Sequence, residues 1–190
     1  MTTMQNLDTI VSQALAHYIR PHSAKLNIVY GANAPQTGKA VHKMWMAALN
    51  AKAEFVIFDG ANEANNLYFS PRTNLLYRTL HDIDHAIQYE QGRGTTALHN
   101  ERFLNCLMAK RVYRYALHTT DTATALQAFF TMYHDTVGQV DYYAEHRDFC
   151  ENQRALTEQY LSNCEGMAAI KQGDLRQATK IANDYMARCA

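Results

Sequence analysis

The sequence predicts an α+β fold, with a short β-sheet and a histidine-bearing helix in front and a predominantly helical C-terminal half. Three observations predict it. Two short runs rich in β-branched and aromatic residues, KLNIVY (25–30) and EFVIFD (54–59), flank a stretch with helical spacing. The segment 77–91, YRTLHDIDHAIQYEQ, is amphipathic and sets His81 and His85 four residues apart. From Ala97 onward the apolar spacing is almost wholly helical.

Leu7, Ile10, Val11, Ala14, Leu15 and Tyr18 recur at helical spacing, and Pro21 is expected to stop that first helix. Residues 25–30 follow as a strand, and 31–38 as a loop. Residues 40–51 form a helix with Val41, Met44, Trp45, Ala48 and Leu49 on one face. After the strand at 54–59, the GANEANN stretch turns the chain and LYFS (67–70) is expected to pair as a further strand. Pro71 ends it, and Thr73 or Asn74 is positioned to cap the histidine helix, which stops near Gly92 and Gly94. Helices are expected at 97–117, 122–147, 150–164 and 174–188, separated at Thr119 and Thr120, around Cys150 and at Gly173. At 190 residues the chain is read as one domain (1–190), an α+β site-bearing region (1–118) with a helical lobe (119–190) packed against it.

Hydrophobic residues make up 47% and charged residues 19%, the balance of an ordinary globular protein, and the formal net charge of +0 gives no basic or acidic field for a nucleic acid or membrane. No stretch approaches the roughly 20 apolar residues of a membrane helix, and the N-terminus lacks the basic start and apolar run of a signal peptide. Cys106, Cys150, Cys164 and Cys189 lie far apart without a C-x-x-C pair. They are expected to be reduced thiols in a cytoplasmic protein.

On a helix, residues i and i+4 share a face, so His81 and His85 can bind one divalent metal ion, the geometry behind the H-E-x-x-H zinc helix. Here the motif reads H-D-x-x-H, with Asp82 after the first histidine. Glu101, just past a glycine-containing turn, starts the next helix and can return a carboxylate to the imidazoles. His99 and Glu90 are rival third ligands, and Arg78, one turn before Asp82, can hold a carboxylate or an oxyanion.

The run NLYFSPRTNLLYRTLHDIDHAIQY followed by NERFLNCLMA resembles the zincin-like metallopeptidases, and among them the small ImmA/IrrE-type and minimal gluzincin domains. The resemblance spans about residues 54–110. It implies that His81, His85 and Glu101 hold a zinc ion and that Asp82 stands where the general base stands. The implied activity is hydrolysis of an amide-type bond in a peptide or protein substrate. Two features depart from that pattern. The His85-to-Glu101 gap is short, and Asp82 is one methylene shorter than glutamate, a displacement that can cost on the order of 10²-fold in rate. The pairing of H-D-x-x-H with a downstream glutamate is also similar to bacteriophage proteins. A non-catalytic protein that binds a partner on this scaffold, with a relic or structural metal site, is the alternative in that class.

A second resemblance shares the same letters. HDIDH (81–85) is similar to the centre of HD phosphohydrolases, which would add His42 upstream and Asp141 or Asp135 downstream to His81 and Asp82. Those domains are all-helical, whereas EFVIFD and LYFS read as strands. The loop GANAPQTGKA only mimics a phosphate loop, because six residues separate Gly31 from Gly38 and Ala40 replaces the magnesium-binding hydroxyl. A second histidine-rich stretch, YHDTVGQVDYYAEHRD (133–148), gathers His134, Asp135, Asp141, Glu145 and His146. It reads first as a solvated helix face with buried tyrosines, and otherwise as a source of one more metal or substrate contact.

Overall fold

The computed structural model describes residues 2–92 and 97–188. Gly94 of the expected turn and the Cys189 thiol lie outside the described residues. The chain begins with α1 (Met4–Ser23), whose first turn is closed by Thr3 accepting from the Asn6 N–H. Pro21 does not stop this helix but lies in its last turn. A proline φ is already helical, so the cost there is one lost backbone bond, and Ser23 Oγ donates to the Arg20 carbonyl to tie the turn off.

Strands β1 (Asn27–Tyr30) and β2 (Glu54–Ile57) pair in parallel, Asn27 opposite Glu54 and Tyr30 opposite Ile57. Parallel neighbours need a crossover, which is α2 (Gly38–Ala51), capped by Thr37. Four-residue strands cannot hold each other alone. A small core fixes them instead: Val41, Trp45 and Ala48 of α2 pack with Phe55, Ile57 and Leu26, and against Ile83 and Ala86 of α3. Each large apolar side chain so buried contributes about 1.5–3 kcal/mol, so the sheet is mounted on α3 by its side chains.

The stretch LYFS is not the expected strand. Leu67 and Phe69 do alternate inward and are buried, but no strand lies beside them. Arg154 does what a neighbouring strand would do: its Nε donates to the Leu67 carbonyl, its Nη2 to Ala64, and its backbone N–H to Asn66. Ser70, and not Thr73 or Asn74, caps α3 (Pro71–Glu90), with Pro71 in the first turn. Asp8 of α1 accepts from both the N–H and the Oγ of Ser70. The helix ends at Glu90, and Gly92 follows with φ +74°, a left-handed conformation that suits glycine.

α4 (Leu98–Thr119) and α5 (Thr122–His146) follow as two long helices, then α6 (Gln153–Ser162), α7 (Glu165–Lys171) and α8 (Leu175–Ala187). The expected helix at 150–164 is shorter, and α7 is a separate helix, because Cys164 is extended at φ −79° and ψ 114°. The main core is continuous through both halves, joining Leu7, Val11 and Leu15 of α1, Met108 and Val112 of α4, and Phe129 and Phe130 of α5 to Met167 and Ile181. Among the described residues no helix is long and apolar enough to cross a membrane. The four cysteines are not all reduced thiols: Cys106 is disulfide-bonded, while Cys150 and Cys164 are free. Wide separation along the chain places no limit on separation in space.

Gly166 lies where a Cβ would come within 2.1 Å of the Phe130 ring. Since Phe130 is fully buried, the ring has nowhere to retreat. Gly166→Ala is expected to destabilise the fold by about 1–3 kcal/mol, read as a lowered denaturation midpoint with an unchanged slope.

Candidate metal centre

The periodicity of α3 sets His81 and His85 one turn apart, with their rings edge to face and centroids 4.4 Å apart. The chain returns through α4, whose first turn carries Glu101, and a carboxylate there is favoured by the helix N-terminus. Its two oxygens divide between the imidazoles: Oε2 lies 3.2 Å from His81 Nε2, and Oε1 lies 3.2 Å from His85 Nε2. Among the described residues, these three form the group of His, Cys, Asp and Glu side chains able to share a metal, their ligand atoms all within 4.8 Å. His81 and His85 are largely buried, and Glu101 is 27% exposed.

The donor set fits a divalent ion. Tetrahedral zinc bonds of roughly 2.0–2.1 Å place ligand atoms about 3.3 Å apart, close to the two separations observed. His81 Nε2 is buried and its contact with Glu101 lacks hydrogen-bond geometry, as suits an atom aimed at a point between ligands. Three protein ligands leave a fourth position for water or substrate, the catalytic pattern in zinc proteins. Among the described residues, His85 Nδ1 has no hydrogen-bond partner, although that second ring nitrogen usually orients a metal-bound histidine.

Electrostatics tie the cluster together. Burial pushes the Glu101 carboxyl up, but its contacts with His81 and His85 outweigh that and hold it down at about 2. Burial likewise lowers His81, and Glu101 more than reverses it, leaving the imidazole above its ordinary value. Asp82 is half-buried and makes no hydrogen bond to a described residue. Burial pushes its carboxyl up to about 6, against the pull of His81 and His85.

The remaining expected residues lie elsewhere. Arg78 donates to the carbonyls of Phe58, Gly60 and Ala61, with its guanidinium over the Phe58 ring. It secures the loop before α3 and holds no carboxylate. His99 is exposed. Glu90 lies 3.5 Å from His42 Nε2, Asp141 is paired with Arg102, and Asp135 accepts from the Thr157 hydroxyl. Among the described residues, the group able to share a metal with His81 includes none of His42, Asp141 and Asp135. Two residues that the motif did not reveal support the site. Tyr77, one turn before His81, donates through its hydroxyl to Asn105 Oδ1 at 2.8 Å, one turn after Glu101. Asn105 is 2% exposed, and a buried asparagine one turn from a candidate ligand is the signal that could have found the pair.

Two outcomes follow from this arrangement. Tyr77→Phe leaves the Asn105 Oδ1 without its donor, which costs about 1–3 kcal/mol and weakens metal binding by roughly 10–100-fold, measurable by competition with a chelating dye. In metal-free protein, stability from Glu101 is present above its ordinary value of 4.5 and is lost as pH falls toward 2. Stability from His81 is present below its ordinary value of 6.5 and is lost as pH rises through its raised folded value. The cluster therefore stabilises the apo fold most between pH 4.5 and 6.5, and Glu101→Gln flattens both limbs of the denaturation profile.

No family model matches the chain, and neither the curated proteins nor the solved structures give a match.

Proposed function

We propose that the protein is a zinc-dependent hydrolase of zincin-like type, acting on an amide-type bond of a peptide or protein. The observation that carries this reading is the pair of 3.2 Å separations between Glu101 and the imidazoles of His81 and His85, contributed by two helices. The approach to the site supports it as well, since β2 leads through a fixed loop into the helix that carries both histidines.

His81, His85 and Glu101 hold the ion, which when bound lowers the pKa of water to roughly 7 and polarises a carbonyl oxygen. Of the two carboxylates between the histidines, Asp84 is paired with Arg111, which leaves Asp82. It follows His81 directly on α3 and makes no hydrogen bond to a described residue, so it is available to take a proton from attacking water and pass it to the leaving amine. Burial of the histidines limits solvent around them, while the partial exposure of Glu101 leaves a side open to substrate. Tyr77 and Asn105 fix how α3 meets α4 and so where the third ligand sits.

The test is metal content and turnover on the same preparations. The wild type is expected to carry one zinc per chain and to cleave fluorescein-labelled casein. Glu101→Ala is expected to lose both metal and activity, and His42→Ala neither. Asp82→Asn is expected to keep the metal while turnover falls by about 10²–10⁴-fold. A zinc-loaded wild type that leaves casein and a mixed peptide library intact would overturn the peptidase reading while leaving the metal centre standing.

A further inference from the structure

The second histidine-rich stretch, on α5, faces a cleft of about 280 Å³ bounded by α4, α5, α6 and α8. Aromatic rings line it. Tyr133 and Tyr185 approach with centroids 4.8 Å apart, and His134 stacks on Tyr160 at 5.9 Å with ring planes 24° apart. Gly138 lets Tyr160 in, because a Cβ at that position would stand 2.8 Å from the ring. The tyrosine could not lie against α5 beside any larger residue.

Charge is confined to the rim. Arg102 is paired with Asp141, and Arg188 lies over the Tyr185 ring at 5.8 Å. Burial raises the Tyr133 hydroxyl, and both Arg102 and Arg188 pull it back, which places both guanidiniums close to the same wall. Burial lowers the His134 imidazole to about 4, so it is neutral at physiological pH, and its Nε2 has no hydrogen-bond partner among the described residues. Among the lining residues two arginines stand against one aspartate, while Glu165 acts on Tyr185 and Glu145 on Tyr160 from outside the lining.

Aromatic walls under an arginine rim select for a particular ligand chemistry. Aromatic faces accept a planar ring by stacking. Guanidinium groups bind carboxylate or phosphate through paired N–H donors. The volume is at the small end of ligand pockets, roughly 300–1,000 Å³, which admits one ring system and one anionic group. A cage for a cation would show the rings without the arginines.

We propose that this cleft binds a small aromatic anion, one ring system bearing a carboxylate or a phosphate. The ring lies among Tyr133, Tyr160 and Tyr185, and the anionic group sits on Arg188 and Arg102. The site shares no residue with the metal centre, so it stands or falls independently of the hydrolase reading.

The test is calorimetric titration of the full chain with benzoate and with phenyl phosphate, and with benzyl alcohol and benzyltrimethylammonium as neutral and cationic comparators. One anion is expected to bind at one site per chain with a Kd of about 1 mM or below, as ligands of about ten heavy atoms can reach. Whichever of the two binds more tightly identifies the anionic group. Arg188→Ala and Arg102→Ala are each expected to weaken binding about tenfold, with an unchanged melting temperature because both side chains are exposed. Glu101→Ala is expected to leave it unchanged. The proposal is overturned if neither anion binds, if the alcohol or the ammonium binds as tightly, or if both arginine variants bind as the wild type does.

Discussion

Tyr77, Asp84 and the two histidines, which α3 carries into the interior, are met from α4, and that pairing organises how the two helices cross. Asp84 is 3% exposed, and a buried carboxylate without a partner costs several kcal/mol. Arg111 of α4 meets it, and the same guanidinium lies over the Tyr18 ring of α1 at 5.5 Å. Tyr77 is answered by Asn105, and the two histidines by Glu101. Apolar contacts tolerate sliding of one helix on another, whereas the two directional polar pairs, Tyr77–Asn105 and Asp84–Arg111, do not. The crossing of α3 and α4 is therefore fixed by polar pairing, and the candidate metal ligands are placed by the same crossing.

Entry into α3 is fixed as firmly as its packing. Arg78 reaches back from the helix to three carbonyls of the preceding loop, and Arg154 reaches across from α6 to the stretch just before Ser70. Both gather carbonyl oxygens that no strand or helix satisfies, the requirement every irregular segment must meet when it passes over a core. Asp8 then holds Ser70, so the helix start is referenced to α1. The loop between β2 and α3 is thus tied by side chains to both α3 and α6.

Much of this was legible in the sequence where periodicity carries the signal. The helices at the histidine motif and after Thr122, both strands of the sheet, and the i, i+4 pairing of His81 with His85 follow from residue spacing alone. Glu101 was legible because it opens the next helix, and a chain that turns back must bring that first turn near the end it left. LYFS was misread because alternation of Leu67 and Phe69 reports burial, and burial needs no neighbouring strand when an arginine can take the carbonyls. Arg78 and the Tyr77–Asn105 pair were not legible, since long side chains choose partners by proximity in space. Cys106 was misread for the same reason, and the α6–α7 break rests on the conformation of one residue, Cys164. The tyrosines on α5 were read as packing, and the cleft they line with α8 needed the fold to bring Tyr185 and Arg188 alongside.

The central claim is that two helices supply one metal ion with two imidazoles and one carboxylate. X-ray absorption at the zinc edge of the loaded full-length protein tests it most directly. The account predicts a first shell of nitrogen and oxygen at about 2.0–2.1 Å, with the outer-shell signature of two imidazole rings and no sulfur. A sulfur shell, a single imidazole, or a third imidazole in place of the carboxylate would contradict it.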